Sequence, residues 1–345
     1  MKQLATNANS VMLVILGIVL ALLPIYLPNN YQVSIMAFIA LNTILTVGLS
    51  LLMGYAGQIS LGHAVFYGMG GYSTGLLAIK LGWSPLAAMA VGAILTGIIA
   101  YLIGIPILRL KGNYLAMATL GLNVIFTLFL SQQTDWTGGP NGLSGIPKLA
   151  VGDFKITNDV QFYYVVWFAA LAILALSLNI VNSRVGRALR AVHSSEIAAE
   201  MVGVDAAHYK NLVFALSAVY ASIAGSLYAF WIGLISPSVF GINFSIELVV
   251  MVAIGGLASV WGAIFGAAAV TLLTEFLRNL LPQLLRGASG EQEIIAFGVI
   301  LMLVMIFLPE GLTTGTVLRI RRWRAERTAI REIEQAADIL EAVKE

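Results

Sequence analysis

The chain has 345 residues, of which 59% are hydrophobic and only 10% charged, and a net charge of +2. A soluble domain usually carries about 25% charged residues, so this composition excludes a surface built mainly to face water, and the near-neutral balance excludes bulk attraction to nucleic acid. Cysteine is absent and the three histidines, His63, His193 and His208, are scattered, which removes disulfides, thiolate sites and any recognisable metal-ligand spacing; no metal or cofactor is expected.

The apolar residues come in long blocks near 11–27, 33–53, 60–80, 84–108, 112–132, 160–182, 210–235, 241–258, 261–280 and 291–308. Each approaches the ~20 residues that cross a ~30 Å hydrocarbon core. The blocks are continuous rather than alternating, so they predict helices and not a transmembrane β-barrel. The expected fold is all-α, a polytopic bundle of about ten spans. The first block follows Lys2 and ends on Pro24, Pro28 and Asn29 without a small-x-small cleavage site, which predicts a retained first span. Segments 60–80 and 241–258 are rich in glycine and polar groups and are expected to be broken or re-entrant. The stretches GYAGQISLGHAVFYGMGGYSTGLLA (54–78) and GINFSIELVVMVAIGGLASVWGAIFGA (241–267) resemble each other weakly. By the span count they run in opposite directions, a weak inverted repeat of the kind that marks a transport pathway.

Within the first stretch, Gln58, Ser60, His63, Tyr67, Tyr72, Ser73 and Thr74 crowd into one crossing. So many polar groups are costly there unless they face protein or water. They bond neighbouring helices or take up a small zwitterion. In the second, Asn243, Ser245 and Glu247 precede an apolar run. A helix starting near Asn243 or Ser245 puts Glu247 in its first turn, where the macrodipole favours an anion; the other reading is a pathway or gate residue. Glu275 and Arg278, three apart, predict an ordinary ion pair.

Lysine and arginine set the orientation. Lys2, Arg109–Lys111, the 184–210 loop and the tail with Arg319, Arg321, Arg322, Arg324, Arg327 and Arg331 fall on one side, which is read as the cytoplasm, so both ends are expected there. Tyr26, Tyr31, Trp83, Trp136, Tyr163, Tyr164 and Trp231 fall near the opposite ends of the spans, the place of an aromatic belt. The segment TGGPNGLSGIP (137–147) is turn chemistry inside an outer loop of about 27 residues, long enough to fold locally and meet a partner. On the inner side, Ser194 or Ser195 caps a short helix with Glu196 in its first turn, and Gly203 ends it. Such a helix suits docking into another protein's groove. From 319 to 345 the tail reads as a cytoplasmic amphipathic helix beyond a permease domain of 1–318, with Trp323 and its arginines placed for anionic headgroups of the bilayer. No phosphate-binding loop of the G-x-x-x-x-G-K type and no catalytic motif occurs. The chain is not expected to be an enzyme, and ATP hydrolysis, if it drives transport, belongs to another chain.

Five co-linear segments carry a family resemblance: GYAGQISLGHAVFYGMGGY (54–72), LKGNYLAMATLG (110–121), TGGPNGLSGIP (137–147), GRALRAVHSSEIAAEMVGVD (186–205) and FSIELVVMVAIGGLASVWGAIFGA (244–267). The chain resembles the permeases of ATP-binding-cassette importers for branched-chain amino acids, of the longer, LivM-like type. The resemblance implies a bacterial inner-membrane protein working by alternating access. It also implies a sister permease (LivH-like), two ATP-binding subunits and a periplasmic solute-binding protein. It makes 190–205 the coupling helix, with Arg190, Ser195, Glu196, Ala199 and Gly203 at the ATPase; Ile197 interrupts the family's E-A-A…G pattern. Gln58, Ser60, His63, Tyr67, Tyr72, Asn243, Ser245 and Glu247 are the expected pathway residues. Related permeases serve urea or short amides. An ion-coupled secondary transporter is the rival class, with Glu247 as its candidate embedded acid; a membrane enzyme lacks the nucleophile or metal set it needs.

Overall fold

Among the described residues, eight helices are long and apolar enough to cross a membrane. In a computed structural model, the structure describes residues 2–27, 29–151, 154–284 and a few scattered positions from 298 to 315. The expected tenth span, 291–308, is described only at a few scattered positions, and the tail, 319–345, lies outside the described residues. In chain order the elements begin with α1 (Lys2–Tyr26), α2 (Asn30–Ser50) with a π turn at Leu51–Tyr55, α3 (His63–Lys80), α4 (Pro85–Ile107) and α5 (Asn113–Gln132). A folded loop follows, with α6 (Thr134–Thr137), β1 (Leu143–Ser144), β2 (Ala150–Val151) and β3 (Phe154–Lys155). Then come α7 (Asp159–Asn182), α8 (Arg184–Ser194), α9 (Glu196–Met201), α10 (Ala206–Ile232), β4 (Leu234–Ile235), α11 (Ile242–Gly255) and α12 (Val260–Leu284).

α3 is too polar to pass as a span by hydropathy, yet it is the buried centre of the bundle: His63 to Gly68, Gly70 to Tyr72 and Thr74 are all buried. It runs alongside α10 at backbone contact. A Cβ added to Gly70 would stand 2.2 Å from the Ser222 carbonyl oxygen, and one added to Gly225 would stand 1.9 Å from that of Tyr67. Across the same seam the Thr74 and Ser226 hydroxyls are 2.7 Å apart. Small residues let helices meet this closely where no hydrophobic drive separates protein from lipid.

α2 runs antiparallel to α12. Asn42 Nδ2 donates to Thr271 Oγ1 at 3.0 Å, and the Thr46 hydroxyl donates to the Ala263 carbonyl at 3.2 Å. At the far end, Ser50 Oγ donates to the Leu257 carbonyl at 2.9 Å, and a Cβ on Gly54 would lie 1.7 Å from that same oxygen. Neither 60–80 nor 241–258 is broken in the middle as expected: α3 and α11 are continuous helices, and the interruptions lie before α3 and after α11, where they are pressed together. α11 is short and antiparallel to α3: Phe240, just before it, packs on Tyr67 and Tyr72, Ser245 meets Ala64, and Gly255 reaches the break.

The TGGPNGLSGIP loop folds locally and onto its own chain. β1 pairs antiparallel with β4, the Ile146 amide donates to the Gly233 carbonyl at 3.2 Å, and Lys148 Nζ donates to the Trp231 carbonyl at 2.5 Å. Two residues expected in the aromatic belt turn inward instead. Trp231 stacks on Phe162 and donates from Nε1 to Asp159 Oδ1 at 3.1 Å, so its polar edge is satisfied by protein. Tyr163 is fully buried for a different reason. The Glu275–Arg278 pair is not formed either: Glu275 accepts from the Tyr31 hydroxyl and from Asn279 Nδ2 at 2.8 Å.

α1 packs loosely on α7 and exposes Val14, Ile18 and Ile25. Pro24 lies inside it, and proline has no N–H to give to the carbonyl four residues back, Leu20. The Tyr163 hydroxyl donates to that freed oxygen at 2.8 Å, and Tyr164 donates to the Ala21 carbonyl at 3.1 Å. With no water in a bilayer core, such a carbonyl needs a donor from the protein. We expect Tyr163→Phe to destabilise the protein by about 1–3 kcal/mol, the cost of a buried acceptor left unpaired, with a lowered unfolding midpoint in detergent; Tyr164→Phe, at an exposed bond, shifts it less.

Candidate functional site

Two regions gather the residues singled out by sequence, one inside the bundle and one at the end that carries α8 and α9. Inside, the α2 chain leaves its π turn at Tyr55 and runs unwound to Gly62, where α3 starts. Unwound backbone at this depth needs partners. The Leu61 amide donates to Thr119 Oγ1 of α5 at 2.9 Å. Ser245 Oγ accepts from the Ala64 amide at 3.2 Å and from Asn123 Nδ2 at 3.0 Å. Three helices, α3, α5 and α11, are therefore tied at one buried hydroxyl.

The predicted pathway residues divide around this node. Gln58 is buried and its Nε2 donates to the Ala56 carbonyl at 2.9 Å. Ser60 is buried next to it, within 3.5 Å of the Gly62 amide. His63 is fully enclosed beside the Leu45 carbonyl, edge-on to Phe66, with neither ring nitrogen in a hydrogen bond of ordinary geometry. Tyr67 is packed among Tyr228, Phe240 and Phe244, and the Tyr72 hydroxyl donates to the Ile235 carbonyl at 3.3 Å. Asn243 is exposed and Glu247 half-buried, on a face of α11 that also exposes Ile246. Among the described residues Glu247 makes no ion pair and no hydrogen bond. The helix begins at Ile242, so Glu247 lies in its second turn; the first-turn macrodipole reading does not hold, because that effect fades within one turn.

At the other region the chain turns sharply from α7 into α8. Arg190 reaches back to the Val181 carbonyl at 3.1 Å and so closes the end of α7. Ser195 Oγ caps α9 by accepting from the Ala198 amide at 3.3 Å. Gly203 sits at φ +83°, the left-handed stop that a helix end favours. Ala199 is buried on Val192 and Ala206 in a small cluster apart from the main core. The outer face of α9 and its end is apolar and open: Ile197 is 69% exposed, Met201 83% and Val202 77%. Glu196 carries two cations, Lys210 on Oε1 and Lys111 at 3.4 Å on Oε2. Burial pushes its carboxyl up, but the bond and charge of Lys210 and then of Lys111 outweigh that and hold it below the ordinary glutamate value. A carboxylate lowered in this way stabilises the fold above its unfolded pKa and loses that contribution as pH falls through the folded one.

Residues 31–309 match the family described as the branched-chain amino acid transport system permease component. The chain belongs to this family. It is similar to the high-affinity branched-chain amino acid transport system permease protein LivM of Salmonella typhimurium, 29% identical over 314 residues that cover 84% of this chain and 72% of that one. LivM of Escherichia coli is 29% identical over 325 residues, 87% of this chain and 74% of that one. LivH of Escherichia coli, the permease with the other name, is 25% identical over 288 residues, 78% of this chain and 90% of that one. Family membership makes the chain a multi-pass membrane permease of the ATP-binding-cassette class and not an enzyme, with a permease pairing in such a system. The matched region holds both the buried node and α9.

Sequence reasoning missed Thr119 and Asn123, and took Lys111 and Lys210 only as charges that set the orientation. Asn123 was legible as an amide in an apolar span, the usual mark of an interhelical bond; Lys210 was legible as a cation one turn into an apolar helix, which needs an acid nearby. The tie at the node is open to test. Ser245→Ala leaves the Ala64 N–H and the Asn123 amide without their acceptor, and we expect a loss of about 1–3 kcal/mol read as a lower thermal midpoint of the purified protein, with Ser245→Thr keeping most of it.

Proposed function

We propose that the chain is the longer permease subunit of an importer that moves branched-chain or related amino acids across the bacterial inner membrane by alternating access, driven by two separate ATP-binding subunits. The sister permease is LivH-like, and a periplasmic binding protein delivers the solute. Both ends of the chain face the cytoplasm. The observation that carries the reading is α9: a six-residue helix, capped at both ends, that turns Ile197, Met201 and Val202 outward at the arginine-rich end. Exposed apolar residues outside a bilayer mark a protein contact. Arg190, Ser195, Ala199 and Gly203 hold that helix in shape from behind, and the ATPase groove receives its outer face.

The pathway runs along the open face of α11. A carboxylate such as Glu247 is costly against lipid and is retained where it meets water, a partner or a cation. In this role it takes the solute's ammonium group, with Asn243 beside it. Gln58, Ser60, His63, Tyr67, Tyr72 and Ser245 stand behind as the wall that holds the starts of α3 and α11 at the right height. The family names of the relatives favour a branched-chain side chain as the solute's other end; urea or a short amide would not need an acid for its amine.

The test is uptake of labelled leucine by vesicles containing both permeases, the ATPases and the binding protein. Gly203→Pro forces φ from +83° to the proline range and removes the Gly203 N–H bond to the Glu200 carbonyl. It is expected to abolish uptake while ATP hydrolysis and membrane insertion persist; normal uptake would count against α9 as the coupling element. Glu247→Gln is expected to slow uptake about tenfold, the loss of one charge-assisted bond of ~1.5 kcal/mol, with hydrolysis unchanged. Uptake that proceeds without the ATPases would sink the importer reading altogether.

A further inference from the structure

A helix of six residues does not hold itself together in water. α9 keeps its place by its two caps, by Ala199 on Val192 and Ala206, and by Glu196. The Glu196 carboxylate is split between two bodies. One oxygen takes Lys210, in the second turn of α10, whose side chain is only 5% exposed; the other takes Lys111, in the turn between α4 and α5, whose side chain is 74% exposed. Between α9 and the end of α4 the space is open: a cavity of about 540 Å³ is lined there by Tyr101, Gly104, Lys111, Glu196, Lys210 and Asn211 among others. Side-chain packing is therefore not what ties α9 to that turn. α10 in turn carries the close backbone seam with α3, and Asn211, the next residue along, donates to the Tyr101 carbonyl of α4 at 3.1 Å.

We propose that Glu196 is the joint through which α9 moves the bundle, with Lys210 as the rigid link to α10 and Lys111 as a loose, screened link to the α4–α5 turn. This rests on the reading of α9 as the ATPase contact. The geometry makes the two links unequal. An ammonium whose side chain is only 5% exposed has little water to replace its carboxylate, so Lys210 stays with Glu196 as α9 moves. An exposed pair is weakened by salt and replaced by water at little cost, so Lys111 adds little to the pull of α9 on the α4–α5 turn. Displacement of α9 is thus delivered first to α10 and, through its glycine seam, to α3. All three are positioning residues; none is placed to touch the solute.

The test uses the assembled importer in liposomes and reads two quantities, ATP hydrolysed and solute taken up, with co-purification of the ATPases as the check on assembly. Lys210→Met and Glu196→Gln should lower uptake per ATP by about fivefold or more, the lower edge of ordinary site-to-site coupling, while the ATPases stay bound and hydrolysis continues. Lys210→Arg should keep the ratio. The exchange Glu196→Lys with Lys210→Glu should recover most of it, and Lys111→Met should change it little at physiological salt. A Lys210→Met importer that is fully assembled and fully coupled overturns the proposal. So does an exchange variant that assembles but stays uncoupled, which also covers the case where the single variants fail to fold. If the unaltered chain does not retain the ATPases at all, it is the coupling-helix reading that fails, and the wild-type control reports that separately.

Discussion

The close approach of α3 and α10 is the constraint on which the other arrangements depend. Their backbones pass so near at Gly70, Ser222, Tyr67 and Gly225 that no Cβ fits between them. Contact at that distance fixes the rotation of both helices, because Gly70 and Gly225 have to lie in the seam. Once α3 is rotated that way, Tyr67 and Tyr72 point toward the segment before α11, and Thr74 meets Ser226. The polar content of α3 follows from its position. A helix largely enclosed by other helices has little lipid to satisfy, so serine, threonine, histidine and glycine are tolerated where a peripheral span such as α1 carries valine, isoleucine and leucine.

Breaks in α2–α3 and α11–α12 raise a second demand. A helix that stops inside a bilayer leaves amides and carbonyls with no water to take them. The chain meets this by placing each break against another element that supplies the missing partner. Thr119 takes the Leu61 amide, Ser245 takes that of Ala64, and Ser50 covers the Leu257 carbonyl. Pro24 in α1 is handled in the same manner by Tyr163. In every case the partner is a hydroxyl on a neighbouring helix, a group that reaches a backbone atom without carrying charge into the apolar layer. Such ties link distant segments, and moving one helix end therefore disturbs another.

Much of this architecture is legible in the amino-acid sequence. The blocks 11–27, 33–53, 84–108, 112–132, 160–182, 210–235 and 261–280 each became a helix close to its expected bounds, because a run of apolar residues of that length has few other options in a bilayer. Segments 60–80 and 241–258 are expected to be broken, yet α3 and α11 run as single helices over His63–Lys80 and Ile242–Gly255, and the interruptions fall just before the one and just after the other. The roles of particular side chains were less visible. Glu275 and Arg278 are three apart on a helix, yet the carboxylate turns to Tyr31 of α2 and to Asn279, a choice decided by which helix lies alongside. Trp231 and Tyr163 sit at the sequence positions of a belt but face inward, since each finds a partner inside for its polar tip. The pairing at α9's joint escaped notice because Lys111, Glu196 and Lys210 lie on three separate elements. Spacing along one helix reports local pairs; it is silent about pairs made by the packing of three.

The distribution of satisfied and unsatisfied groups adds one more step. Inside the bundle almost every break is answered by a donor or acceptor of the same chain. Two faces are not answered. On α11 the Glu247 carboxylate has no partner among the described residues, and next to it Asn243 is exposed. On α9, Ile197 and Met201 stand open beside the heavily charged 184–210 segment. One face offers polarity where lipid would be expected, and the other offers apolar surface where water would be expected. A chain folded for independent existence would gain from reversing both. Under the proposed function each face is covered by something else, a second permease and an aqueous path on one side and an ATP-binding subunit on the other. Because the tied breaks join α11 to α3, and the seam joins α3 to α10 and so to Lys210, the two incomplete faces are also the two ends of one continuous set of contacts.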